Sequence, residues 1–96
     1  MNRIEHLLVC ATEECAEITQ AIDKALRFGL EDGSPERQTT NAQDIVKEYS
    51  DLIAVMMMLF EEGVIKDYNM DRAIEAKREK VNKYIEYARQ QGTVRD

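Results

Sequence analysis

Two acid pairs are the residues of this chain best suited to chemistry. Glu14 and Glu17 stand three apart, with Glu13 just ahead of them, and Glu48 and Asp51 repeat the spacing further along. Residues three apart on an α-helix are neighbours on one face. If the helices that carry them pack as an antiparallel hairpin, the two pairs converge at its edge. Four carboxylates in one place call for a hard divalent cation, and all-oxygen ligation suits Mg²⁺ or Mn²⁺. A single such pair is an ordinary surface feature where 33% of residues are charged, so the repetition carries the weight.

The elements that must position these acids are marked off by helix breakers at Gly29, Gly33 and Pro35, at Gly63 and at Gly92. Asn2 caps a first helix running to about Phe28, with Gly29 in the left-handed position that closes it. Its apolar stripe is Ile4, Leu7, Leu8, Ala11, Cys15, Ile18, Ile22, Ala25 and Leu26. A polar loop follows, and Thr40 with Gln43 fits a capping box for a second helix, with Asn41 the other cap available, that reaches Glu62. There Ile45, Tyr49, Leu52, Met56, Leu59 and Phe60 form one stripe, while Ile53, Val55, Met57 and Met58 extend apolar character around the circumference. A third helix starts between Asp67 and Asp71, capped by Asp67 or Asn69, and runs to about Gln91 on a stripe of Met70, Ile74, Val81, Tyr84, Ile85 and Ala88. Val64 and Ile65 add a short turn that plugs the bundle end, and the last four residues fray. Counting 100° per residue, Glu14 and Glu48 both lie about 60 to 70° from the centre of their stripes, and Glu17 and Asp51 about 120 to 130°. Both pairs flank the core in the same sense.

The expected fold is therefore all-α: three long helices in one domain, residues 1–96. Such a short chain buries only about 65% of its unfolded surface, and its second helix is apolar nearly all round. A second subunit is the simplest cover, giving a four-helix-type bundle as a homodimer or a homotetramer of dimers. The longest apolar run, Leu52 to Phe60, is too short to span a bilayer, and the N-terminus is not laid out as a secretory signal, so a cytoplasmic protein is expected. With 13 Lys+Arg against 19 Asp+Glu the net charge is −6, which opposes binding to a nucleic acid polymer. Cys10 and Cys15 cannot bridge on one helix; Cys15, on the apolar stripe, is expected to be a small buried hydrophobe. His6 has no second ligand at zinc spacing, and Met56, Met57 and Met58 read as core or interface packing.

At the acid motifs the sequence resembles the all-α nucleoside triphosphate pyrophosphohydrolases, specifically the small MazG-like proteins of phages and bacteria. Their Glu-x-x-Glu pair on one helix, with an extra Glu before it, is similar to Glu13, Glu14 and Glu17. Their Glu-x-x-Asp on a later helix is similar to Glu48 and Asp51, followed by the apolar Leu52-Ile53-Ala54-Val55. The segments Lys24 to Leu30 and Lys77 to Tyr84 look like parts of family members too, so the resemblance covers most of residues 8 to 88. It implies Mg²⁺-dependent cleavage of a nucleoside triphosphate, deoxynucleotides foremost, between its α and β phosphates, with Mn²⁺ as a substitute metal. It makes Glu14, Glu17, Glu48 and Asp51 metal ligands, and gives Glu13 the role of orienting or deprotonating the attacking water. A phage source would put the protein in the host cytoplasm.

A triphosphate also needs cations. Lys24 lies two turns beyond Glu17 on nearly the same face and Arg27 one turn further, while Lys77 and Lys80 edge the stripe of the third helix; all four are candidates for gripping phosphates. Asn41 and Asn82 are weaker candidates for a base or sugar. The competing expectation is an acidic helical module that binds a protein through the exposed apolar side of its second helix, without catalysis.

Overall fold

A computed structural model describes residues 1–33, 36 and 38–96; the expected breaker Pro35 lies outside them. All secondary structure among the described residues is helical: α1 (Arg3–Phe28), α2 (Asn41–Glu61) and α3 (Met70–Gln90). Residues Met1–Lys66, with α1 and α2, form one unit, and Asp67–Asp96, with α3, form another.

In the first unit each helix starts where its cap chemistry directs. The Asn2 side chain accepts from the Glu5 N–H at 2.8 Å. Thr40 and Gln43 form a reciprocal capping box, the Gln43 N–H donating to Thr40 Oγ1 at 3.1 Å and the Thr40 N–H to Gln43 Oε1 at 2.9 Å. Arg3 Nε lies 2.6 Å from Glu62 Oε1, joining the start of α1 to the end of α2, so the helices run antiparallel. At the opposite end Asn41, 3% exposed, donates from Nδ2 to the Gly29 carbonyl at 2.9 Å, and its N–H reaches the Asp32 carbonyl at 2.7 Å. Asn41 is thus a buried clamp on the loop, and neither the cap nor a ligand-facing group. Gly33 belongs to the same turn, where an added Cβ would lie 1.8 Å from the Thr39 carbonyl oxygen, so only glycine fits.

The seam between α1 and α2 is heptad-spaced: Leu7, Ala21, Ala25 and Leu59 are buried, with Ile4, Ala11, Ile18, Ile45, Leu52 and Val55 half-buried beside them. The expected broad stripe of α1 therefore divides in two. Leu8, Cys15, Ile22 and Leu26 fall outside the seam and are exposed, which corrects the expectation that Cys15 is buried. Val46, Tyr49, Ile53 and Met57 form the matching exposed stripe on α2. Leu8 and Ile22 each follow a seam residue by one position, as do Val46 and Ile53. Equal offsets on antiparallel helices emerge on the same side of a hairpin, so the two stripes form one apolar face.

Helix ends obey glycine chemistry, with one departure. Gly63 (φ 74) and Gly92 (φ 81) each close a paired hydrogen-bond motif: the Val64 N–H bonds the Leu59 carbonyl at 3.3 Å, and the Thr93 N–H bonds the Ala88 carbonyl at 2.9 Å. Val64 is consequently part of the α2 cap and exposed, and only Ile65 is half-buried at the end of the hairpin. Gly29 has φ 100 but ψ 148, so it ends α1 in an extended positive-φ conformation, not in the left-handed helical cap expected.

The second unit is α3 and its flanks. Asp67 Oδ1 accepts from the Met70 N–H at 2.7 Å, while Asn69 takes the left-handed conformation (φ 69, ψ 51) without a side-chain cap bond. No residue of α3 is buried; of its stripe only Ile85 and Ala88 are half-covered. The last four residues, expected to fray, turn back instead: Val94 is half-buried, and Asp96 meets Arg89 Nε at 2.5 Å.

Candidate metal centre

On α1, Glu14 occupies a seam position itself, one heptad after Leu7 and one before Ala21. On α2, Glu48 sits one turn after Ile45, and Asp51 precedes the seam residue Leu52. The packing that buries Leu7 and Leu59 therefore drives three carboxylates together: one oxygen each from Glu14, Glu48 and Asp51 lie within 4.8 Å of one another, and all three residues are half-buried. Glu14 and Glu48 sit on the seam itself, while Asp51 and Glu17 each precede a seam residue by one position, which puts the open side of the cluster opposite the exposed apolar face.

The electrostatics are those of an acidic cluster only partly neutralised. Glu14 Oε2 is cut off from solvent and has no hydrogen-bond partner among the described residues. Burial pushes the Glu14 carboxyl above its usual range, and the charges of Asp51, Glu48 and Glu17 add to the effect, against a smaller opposing pull from Lys47. Among the described residues Lys47 supplies the close cation, with Nζ 2.6 Å from Asp51 Oδ2 and 4.0 Å from Glu48 Oε1. The hydrogen bond to Asp51, and then the charges of Asp51 and Glu48, raise the Lys47 ammonium above its usual pKa.

Beside the cluster lies a cavity of about 380 Å³ walled by Glu17, Lys24, Thr39, Asp44, Lys47 and Glu48. Glu48 belongs to both the cluster and the cavity. Thr39 donates from Oγ1 to Asp44 Oδ1 at 2.8 Å, which fixes the loop against α2 where the cavity opens.

The sequence-derived candidates thus separate. Glu14, Glu48 and Asp51 form the tight cluster, while Glu17 lies one turn along α1 on the cavity wall, close enough for its charge to act on Glu14. Glu13 is exposed beside Glu14. Lys24 faces the cavity, whereas Arg27 stacks its guanidinium 5.0 Å from the centre of the Phe28 ring. Lys77 and Lys80 belong to the second unit, where they edge a shallow groove of about 270 Å³ beside Val81 and Tyr84. Asn82 and His6 are exposed, and both cysteines are free. The residues that the sequence reading missed are Lys47, Asp44 and Thr39. Lys47 was discoverable, since it stands four before Asp51 and one before Glu48, the spacing of a helical ion pair.

Among the described residues the cluster offers carboxylate oxygens alone, one of them buried and unpartnered, a donor set suited to a hard divalent cation such as Mg²⁺ or Mn²⁺. Comparison of the chain with family models, with curated proteins and with solved structures finds no match.

Proposed function

We propose that this chain is a Mg²⁺-dependent nucleoside triphosphate pyrophosphohydrolase of MazG-like type. The observation that carries the reading is the convergence of Glu14, Glu48 and Asp51 around a buried oxygen that no described residue satisfies. Glu14, Glu48 and Asp51, with Glu17 beside them, hold the metal, and Mn²⁺ substitutes for Mg²⁺. Bound there, Mg²⁺ supplies the charge neutralisation a polyphosphate needs before water can approach its phosphorus. The cavity next to the cluster receives the phosphates, and Lys24 on its wall pairs with their negative charge. Glu13, exposed beside Glu14, orients a water and takes its proton. That water's oxygen bonds to the α-phosphorus as the bond from α-phosphorus to the bridging oxygen breaks, releasing a nucleoside monophosphate and pyrophosphate. Deoxynucleoside triphosphates are the substrates we favour.

The apolar face of Leu8, Ile22, Val46, Tyr49, Ile53 and Met57 supports assembly with a second copy into a four-helix-type bundle, as a dimer or a tetramer. Since that face lies opposite the acids, the assembly leaves the site open. The same face supports the competing reading, a non-catalytic module that binds another protein.

The test is pyrophosphate release from a panel of ribo- and deoxyribonucleoside triphosphates with Mg²⁺, Mn²⁺ or EDTA, with Glu17→Ala beside the parent. Metal-dependent monophosphate and pyrophosphate that vanish in the variant are expected. No turnover of any triphosphate by folded, Mg²⁺-loaded protein would overturn the reading in favour of the binding module.

A further inference from the structure

Lys47 is an unusual companion for a cation site, because it already holds one of the oxygens a metal would use. Its Nζ is 2.6 Å from Asp51 Oδ2, yet its side chain is 68% exposed, so the ammonium is anchored only at its tip and has room to leave. It also lines the cavity that Lys24 faces from α1. We infer that Lys47 is a tethered counter-ion: it neutralises Asp51 while the site is free of metal, yields that oxygen to a divalent cation, and then turns into the cavity to grip the anion that arrives with it. The inference rests on the metal-site reading above and assigns Lys47 a positioning and binding role within it.

Charge arithmetic favours the exchange. Glu14, Glu48 and Asp51 carry three negative charges when ionised, and Lys47 cancels one of them. A divalent ion in its place cancels two, which frees an ammonium beside the cavity where a polyphosphate needs one. Holding Lys47 near Asp51 also keeps the empty cavity from presenting two unpaired lysines. The site then gains its full affinity for anions only once a metal is bound, so metal and anion reinforce each other.

Opposite-signed effects in one variant are the signature. Mn²⁺ binding to the intact protein, followed by the EPR signal of free Mn²⁺, should tighten about two- to five-fold in Lys47→Met, the size an exposed ion pair allows. Calorimetric binding of the Mg²⁺–tripolyphosphate complex should instead weaken several-fold in the same variant. Lys24→Met, which removes a cavity lysine with no ion pair to the cluster, should weaken the complex and leave Mn²⁺ binding unchanged. Lys47→Arg, which keeps the charge, should not tighten Mn²⁺ binding, and circular dichroism confirms that each variant is folded. Unchanged or weaker Mn²⁺ binding in folded Lys47→Met would overturn the tethered counter-ion and leave the metal site standing. Absence of Mn²⁺ binding in the parent protein would overturn the metal reading itself, and this inference with it.

Discussion

The acids of the α1–α2 hairpin and those of α3 are alike in type and spacing and unlike in consequence. On α3, Glu75 and Glu79 stand four apart beside Arg72 on an open surface, and Glu86 pairs with Arg89 at 2.9 Å. All of them are exposed. On the hairpin, Glu14 comes from one helix and Glu48 and Asp51 from the other, and packing brings their oxygens within 4.8 Å while hiding Glu14 Oε2 from water. Helical spacing makes neighbours, but only a second antiparallel helix makes neighbours that cannot turn away from each other. The difference is that between a solvated face and a candidate site.

The sharpest way to break the comparison is to remove acids from each region and measure turnover. On the proposed reading, Glu48→Ala and Asp51→Ala each take away a ligand of the metal and should lower Mg²⁺-dependent pyrophosphate release on the order of 100-fold or more. Glu75→Ala and Glu79→Ala should leave it within about two-fold, because an exposed acid contributes little beyond itself. Comparable losses in both regions would mean that the hairpin acids have no special place.

A somewhat smaller effect should appear in stability. Mg²⁺ at 100 times its dissociation constant should add about 2.7 kcal/mol to the parent and raise Tm by about 10 °C or more. Glu14→Gln should abolish most of that gain and make the metal-free protein more stable near neutral pH. The sign follows from the raised Glu14 pKa: the folded state holds its proton more tightly than the unfolded chain does. Stability is therefore lost as pH rises from the ordinary carboxyl value near 4.5 through the folded-state pKa, and is flat beyond it. Thermal melts of parent and Glu14→Gln in EDTA from pH 4.5 to 8 should converge at the acid end and separate above it. A variant that melts below the parent across the range would show that Glu14 is not strained by its neighbours.

Most of the helical framework was legible in residue types and spacing. Asn2, the Thr40–Gln43 box and the glycines after α2 and α3 act locally, so a few residues suffice to read them. The convergence of the hairpin acids was legible in part, because both pairs flank their stripes in the same sense; that Glu14 lies on the seam and Glu17 on the cavity wall emerged only from packing. Three other features depended on contacts that periodicity does not carry. Cys15 lies within the broad apolar stripe of α1, but only packing reveals that the stripe is two seams a residue apart. Asn41 looks like a cap until the turn through Gly29 and Asp32 folds over it. Lys47 could be placed beside Asp51 from spacing alone, yet its place on the cavity wall required the loop that brings Thr39 to Asp44. The exposed stripe of Val46, Tyr49, Ile53 and Met57 was anticipated in the excess apolar character of α2, and its side of the hairpin emerged only once the seam was known.

The smallest expected effect lies on α3 and completes the comparison from its other end. Arg89 donates to Glu86 at 2.9 Å and to Asp96 at 2.5 Å, while on the hairpin Lys47 lies 2.6 Å from Asp51 and 4.0 Å from Glu48, so distance alone does not make α3 the weaker site. Exposure of the acids separates them, since Asp51 and Glu48 are 39% and 21% exposed although Lys47 itself is 68% exposed. The Arg89 side chain is 43% exposed and its partners 59% and 66%, so water and salt screen the pairs, and ordering three long side chains offsets much of what attraction remains. Arg89→Ala should therefore lower Tm by less than about 3 °C, the shift should shrink further in 0.5 M salt, and Mg²⁺ should neither enlarge nor remove it. A drop that persists undiminished in salt would show that Arg89 acts through the packing of its stem and not through its ion pairs.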